Sequence, residues 1–144
     1  SYWPAESLHE INTHLFTAYL EFRYPGLLVM YPRTDTNDHS MEAVIPAGDD
    51  QFEKNRYGIY EPVEGTLVDP KNIGLVIVPM IICDKKGNRV GYGKGYYDRF
   101  LKRCSKDCLK VGLSYFEPIE QIIDAVEFDV PLNICITPKS TYVF

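Results

Sequence analysis

The chain has 144 residues, enough for one domain with a real core, and its 45% apolar and 24% charged content is ordinary for a globular protein. A net charge of −5 argues against a broad electrostatic grip on nucleic acid or on an anionic membrane, while leaving room for a local basic pocket. No apolar run approaches the roughly 20 residues of a membrane span and no signal peptide is evident, so the expected setting is the cytoplasm.

The opening "SYW", Ser1 to Trp3, reads as a strand. A domain seldom opens in mid-element and Ser1 is not methionine, so further residues upstream are expected. "INTHLFTAYLEF" predicts a helix with Ile11, Leu15, Ala18 and Phe22 on its buried stripe. Ahead of it "SLHE" offers Ser7 as N-cap and Glu10 three residues on, a capping-box pattern. "PGLLVMYP", bounded by Pro25 and Pro32, reads as a short buried strand, and "SMEAVIP" as another. Asp49 to Asp69 is polar with Gly and Pro, and predicts a long irregular excursion of a kind that is often functional.

"IGLVIVPM" is the strongest strand pattern, apolar almost throughout as a strand covered on both faces should be. "DKKGNR" is a turn, and a helix follows over roughly Gly95 to Cys104. "LKVGLSYF" predicts a strand, "EPIEQII" a short helix with Pro118 in its first turn, and "NICITP" the last strand. Alternating strands and helices predict an α/β fold: a mostly parallel sheet flanked by helices on both faces, a Rossmann-like three-layer sandwich. One domain over 1–144 is expected, without internal repeats.

Of the four cysteines, Cys83, Cys104, Cys108 and Cys135, only Cys104 and Cys108 are close, at i, i+4. No CxxC spacing and no neighbouring histidine is present, so buried or half-buried free thiols are expected. His9, His14 and His39 show no ligand spacing and read as surface or packing residues.

"GYGKGYYDRF", Gly91 to Phe100, carries the chemistry. Glycines permit φ > 0 and let backbone N–H groups approach a ligand. A helix start behind them adds partial positive charge, Lys94 a full one, and Arg89 a planar fork just upstream. Together these suit a phosphate. Asp98 would repel a bare phosphate, and a hard cation such as Mg²⁺ between them removes that conflict. The spacing is neither GxxxxGK followed by Ser or Thr nor GxGxxG. The plainer alternative is a glycine-rich turn with Tyr96 and Tyr97 in a core and Asp98 as a cap.

"VPMIICDKKGNRVGYGKGYYDRFLKRC", Val78 to Cys104, closely resembles the signature region of the 5-formyltetrahydrofolate cyclo-ligase (methenyltetrahydrofolate synthetase) family. "HEINTH", "RYGIYEP" and "EFDVPLN" are similar to three further segments of that family, in its order along the chain. The resemblance implies conversion of 5-formyltetrahydrofolate and ATP to 5,10-methenyltetrahydrofolate, ADP and phosphate with Mg²⁺, by a monomer. It implies an ATP-phosphate loop of Arg89, Val90, Gly91, Tyr92, Gly93, Lys94, Gly95, Tyr96 and Tyr97, with Lys94 and Tyr96 as catalytic residues. Tyr92, Gly93, Lys94, Gly95 and Tyr96 would also border the folate, together with Trp3, Glu10 and Tyr57. Asp98 and Asp129 would hold the metal.

Each role has a plainer counterpart. Glu10 can be only a cap, Asp129 can open a turn before Pro131, and Trp3 and Tyr57 can be core aromatics. Glu127 and Phe128 stand where the family usually has His before the aspartate, Asn133 replaces a frequent Asp, and Tyr60 a common Pro. The family also has an N-terminal helix with Lys and Arg that 1–144 does not contain. An inactive relative that binds folate or nucleotide is therefore the alternative function. An unrelated sugar-phosphate enzyme is a third, in which Glu10 and Asp129 have no paired role.

Overall fold

The computed structural model describes residues 1–48, 50–123 and 128–144, and these fall into two units, Ser1–Asp69 and Pro70–Phe144. In the first, a 3-10 turn (Glu6–Leu8) precedes helix α1 (Thr13–Arg23). The cap is Asn12, whose side chain accepts the His14 N–H at 3.0 Å, rather than Ser7, which lies inside the 3-10 turn. Glu10 instead turns back to accept the Ala5 N–H at 2.7 Å.

The buried stripe of α1 also differs from expectation. Thr13 and Thr17 face inward, while Leu15 and Phe22 are 76% and 85% exposed and Ala18 is exposed too. Two hydroxyls explain this: Thr13 Oγ1 donates to the Tyr2 carbonyl at 2.7 Å, and Thr17 Oγ1 donates back to the Thr13 carbonyl at 3.2 Å. Polar groups with partners can be buried, so apolarity alone picked the wrong face.

Strand β1 (Tyr31–Asp35) pairs antiparallel with β2 (Ser40–Pro46), and β2 with β5 (Gly65–Val68). β2 is where "SMEAVIP" placed it. "PGLLVMYP" is not a buried strand: Gly26 takes φ +96, which breaks the extended run, Leu28 is 60% exposed, and pairing starts only at Tyr31. "SYW" is not a strand either, since Ser1 N makes one isolated bond, to the Met30 carbonyl at 2.8 Å. The stretch expected to be irregular contains a hairpin, β3 (Phe52–Lys54) with β4 (Tyr60–Pro62). Its turn is closed by Asn55 Oδ1, which accepts the N–H groups of Tyr57 and Ile59 at 2.8 and 3.1 Å.

In the second unit β6 (Leu75–Val78), β9 (Leu109–Leu113) and β10 (Ile134–Ile136) run parallel, with β11 (Thr141–Val143) antiparallel at the edge in the order β11-β10-β9-β6. Val76, Ile77 and Val78 are buried in succession, as a strand covered on both faces requires. Between β6 and β9 lie a short hairpin, β7 (Ile82–Cys83) with β8 (Arg89–Val90), and helix α2 (Tyr96–Leu101). The fold is α/β with mixed sheets, not one mostly parallel sheet. Among the described residues the parallel ladders are β6–β9 and β9–β10, because the first unit builds its sheet from local antiparallel pairs.

Among the described residues there are two α-helices, and no helix is long and apolar enough to cross a membrane. α2 stops at Leu101, short of Cys104. "EPIEQII" is not a helix: Ile119 bridges Asp84, donating its N–H to the Cys83 carbonyl and accepting from Lys85 N, each at 2.9 Å. β11 continues the sheet beyond the strand expected to be last. Cys83, Cys108 and Cys135 are buried and Cys104 half-buried, and the Cys83 and Cys135 sulfurs approach to 3.3 Å.

Asp84, overlooked in the sequence, roots the β7–β8 hairpin. Its buried carboxylate accepts the N–H groups of Lys86 and Asn88 at 2.9 Å each, the Asn88 amide at 2.9 Å and the Ile122 N–H at 3.0 Å. Burial opposes its ionisation, but these donors outweigh it and hold its pKa below the ordinary value. Asp84→Asn turns one acceptor into a donor facing donors. The expected cost is roughly 3 kcal/mol, from one or two buried donors left unpaired. A depressed carboxylate pKa stabilises above its unfolded value, about 3.9, and that contribution is lost as pH falls through the lower folded value. Urea melts should therefore separate wild type from variant at neutral pH and converge in acid. Equal melts at pH 7 would remove Asp84 from this role.

Candidate functional site

Arg89 to Gly95 leads out of β8 into α2. Gly93 and Gly95 take φ +77 and +68, the left-handed region that side chains resist. A Cβ added at Gly91 or Gly93 would meet nothing within 4 Å, so these glycines serve backbone shape and access rather than close packing. Lys94 and Gly91 are exposed, Val90 and Tyr92 are 36% and 40% exposed, and Tyr97 is half-buried. Arg99, not anticipated, braces the loop: its Nη2 donates to the Lys94 carbonyl at 2.8 Å and its guanidinium lies 5.5 Å from the Tyr96 ring. Tyr96 is buried, which suits a foundation for the loop better than a reacting group. At six residues α2 is too short to add much dipole, so positive charge near the loop comes from side chains such as Lys94 and Arg99.

Asp98 sits in the first turn of α2 and joins a closed set of contacts. Its Oδ1 accepts Arg89 Nη2 at 2.8 Å and the Val130 N–H at 3.1 Å, while Arg89 Nη1 donates to the Val130 carbonyl. Arg89 is thus turned inward, 5% exposed, and Asp98 keeps 27% of its side-chain surface open. The set brings Asp98 beside the segment that holds Asp129, itself half-buried. Phe128, next to it, is exposed with Lys102 Nζ 5.1 Å from its ring. Glu127, which the sequence comparison singled out as a departure, lies outside the described residues.

The first unit carries an aromatic cluster. The Trp3 ring meets His14 at 4.5 Å, Phe52 at 4.7 Å and Tyr60 at 5.2 Å, and Tyr31 meets Phe52 at 5.3 Å. Burial lowers the His14 pKa, so a neutral imidazole meets the indole near pH 7. Trp3 is half-buried, and Lys54 Nζ stands 5.1 Å from the Tyr60 ring. Tyr31, Phe52 and Tyr60 lie on strands β1, β3 and β4, and no local pattern links them. Glu10 is half-buried at the end of the 3-10 turn, and Tyr57 lies in the β3–β4 turn, its hydroxyl accepting from Arg56 Nη2 at 2.7 Å.

A family model for 5-formyltetrahydrofolate cyclo-ligases matches residues 14–138. The chain belongs to this family. The cyclo-ligase of Mycoplasma genitalium is 38% identical over 69 residues, 47% of this chain and 42% of that enzyme. The cyclo-ligase of Haemophilus influenzae is 37% identical over 89 residues, 58% of this chain and 46% of that enzyme. The chain thus spans less than half the length of these relatives. The solved 5,10-methenyltetrahydrofolate synthetase of Aquifex aeolicus superposes with a TM-score of 0.78 at 30% identity, covering 99% of this chain and 69% of that one. The glycine loop, Tyr57, Asp98 and Asp129 fall inside the stretch matched by the cyclo-ligase family, while Trp3 and Glu10 precede it.

Proposed function

We propose that the protein converts 5-formyltetrahydrofolate and ATP to 5,10-methenyltetrahydrofolate, ADP and phosphate, as a cytoplasmic monomer. One observation supports this beyond family membership: an open loop with two left-handed glycines and a lysine runs directly into a helix whose first-turn aspartate is tied to the Asp129–Val130 segment.

A formyl amide oxygen is a poor leaving group. Attack of that oxygen on the γ-phosphorus breaks the β–γ bridge and releases ADP; N10 then attacks the activated carbon, loses its proton to solvent or to the departing phosphate, and expels phosphate as the ring closes. The chain must position two ligands and offset phosphate charge. Lys94 and the loop amides from Val90 to Tyr97 would face the phosphates. Trp3 and Tyr57 would pack on the folate, and Glu10 would accept the paired N–H donors of the pterin. Asp98 and Asp129 fit a hard cation: both are carboxylates, and both bonds to Asp98 fall on Oδ1. Mg²⁺ bound there supplies charge neutralisation for the transferring phosphoryl group.

The test is methenyl absorbance from purified protein, 5-formyltetrahydrofolate, ATP and Mg²⁺, with ATP-free and EDTA controls. ATP-dependent product is expected. Binding of both ligands without product is the outcome of the inactive, sequestering alternative.

Glu10→Gln is expected to weaken folate binding about tenfold or more with ATP binding unchanged, since charge-assisted contacts contribute roughly 1.5–3 kcal/mol. Gln keeps an oxygen for Ala5, so the 3-10 turn survives. Calorimetric titration that finds equal folate affinity, with a lower melting temperature alone, would leave Glu10 a purely structural group.

A further inference from the structure

We infer that Arg89 is a positioning residue for the Asp98–Asp129 carboxylates and not a phosphate ligand, an inference that rests on the proposed function. An arginine that grips phosphate must present its fork to the ligand. Both arms of Arg89 are already engaged, one on Asp98 Oδ1 at 2.8 Å and the other on the Val130 carbonyl, and the side chain is 5% exposed. Val130 closes the triangle by donating its N–H to the same Oδ1 at 3.1 Å. Two of the three positions in the triangle are fixed from behind. Arg89 is paired with Cys83 across the β7–β8 hairpin, whose turn Asp84 holds, and Asp98 is fixed by α2.

The consequence for a metal is specific. With Oδ1 committed to Arg89 and Val130, Oδ2 is the oxygen offered to a cation. The guanidinium also binds the backbone next to Asp129, so one side chain sets the separation of the two carboxylates. Its planar two-armed fork is what the task needs, and lysine cannot reproduce it.

Arg89→Met and Arg89→Lys separate the two roles. ATP affinity is measured by calorimetry in EDTA, and Mn²⁺ affinity of the protein–ATP mixture by electron paramagnetic resonance, with circular dichroism as the fold control. For a positioning residue, both variants should keep metal-free ATP affinity within about twofold and lose Mn²⁺ affinity by about tenfold, Lys less than Met. If Met leaves a buried cavity that unfolds the protein, Lys, which keeps the charge and one bond, decides by the same two readings. Loss of metal-free ATP affinity in a folded variant, or unchanged Mn²⁺ affinity, overturns the assignment. Wild type that binds no ATP at all overturns the proposed function, and this inference with it.

Discussion

Asp98→Asn is expected to cut ATP-dependent formation of the methenyl product at least about tenfold while leaving folate binding in place. The amide keeps an oxygen that can accept from both Arg89 and Val130, so the triangle retains its shape. What disappears is the negative charge. A neutral amide binds Mg²⁺ poorly and leaves the Arg89 side chain, 5% exposed, without its counter-charge. The effect should be concentrated where charge develops, in phosphoryl transfer, and tenfold corresponds to about 1.4 kcal/mol of transition-state stabilisation. Steady-state rates at limiting and saturating Mg²⁺, beside a thermal melt, separate loss of chemistry from loss of fold. Wild-type turnover at limiting Mg²⁺ would remove Asp98 from the metal.

Gly93→Val should abolish nucleotide binding in a protein that still folds. The backbone at Gly93 has φ +77, and space around it is open. The Cβ of a valine therefore meets nothing within 4 Å, yet the residue cannot hold that conformation cheaply. Left-handed strain for a β-branched residue is of order 1–3 kcal/mol, enough for roughly tenfold or more in affinity, and the loop relieves it by turning its amides away. The branched side chain then also stands where a phosphate must approach. Calorimetry with ATP and Mg²⁺ reads the loss, and circular dichroism should match wild type. Normal ATP binding by a folded Gly93→Val protein would show that these glycines form no phosphate cradle.

What the sequence disclosed was local. The glycine loop could be recognised because φ > 0 is written into residue type, and β6 because its apolar run is uninterrupted. The face of α1 could not, because Thr13 and Thr17 are buried through hydrogen bonds that no hydropathy pattern encodes. The antiparallel first unit was missed although its turn chemistry was present. Asp35 Oδ1 accepts the Asn37 N–H and Asp38 Oδ1 the Ser40 N–H, each at 2.8 Å, closing the β1–β2 connection. At the site, Lys94 and Asp98 are close in the chain, so spacing alone is enough to group them. The inward turn of Arg89 depends on Val130, 41 residues away, and the Trp3 cluster gathers rings from several elements, so neither can be inferred from spacing.

The sulfur pair gives the second unit an internal clock. The hydrogen bond from Cys83 to Cys135, together with burial, pushes the Cys83 thiol up, and both side chains are sealed from water. A thiol reagent in the medium can reach either sulfur only while the surrounding strands are apart. When reclosing outpaces reaction, the labelling rate is the intrinsic thiol rate multiplied by the open fraction, and so measures the free energy of that opening. Cys104, half-buried, provides the early, separate phase against which it is timed. Cys108 and Cys135 are buried as well, so peptide mapping must separate the three thiols; because Cys83 faces Arg89 across the hairpin, its own labelling reports breathing at the root of the glycine loop.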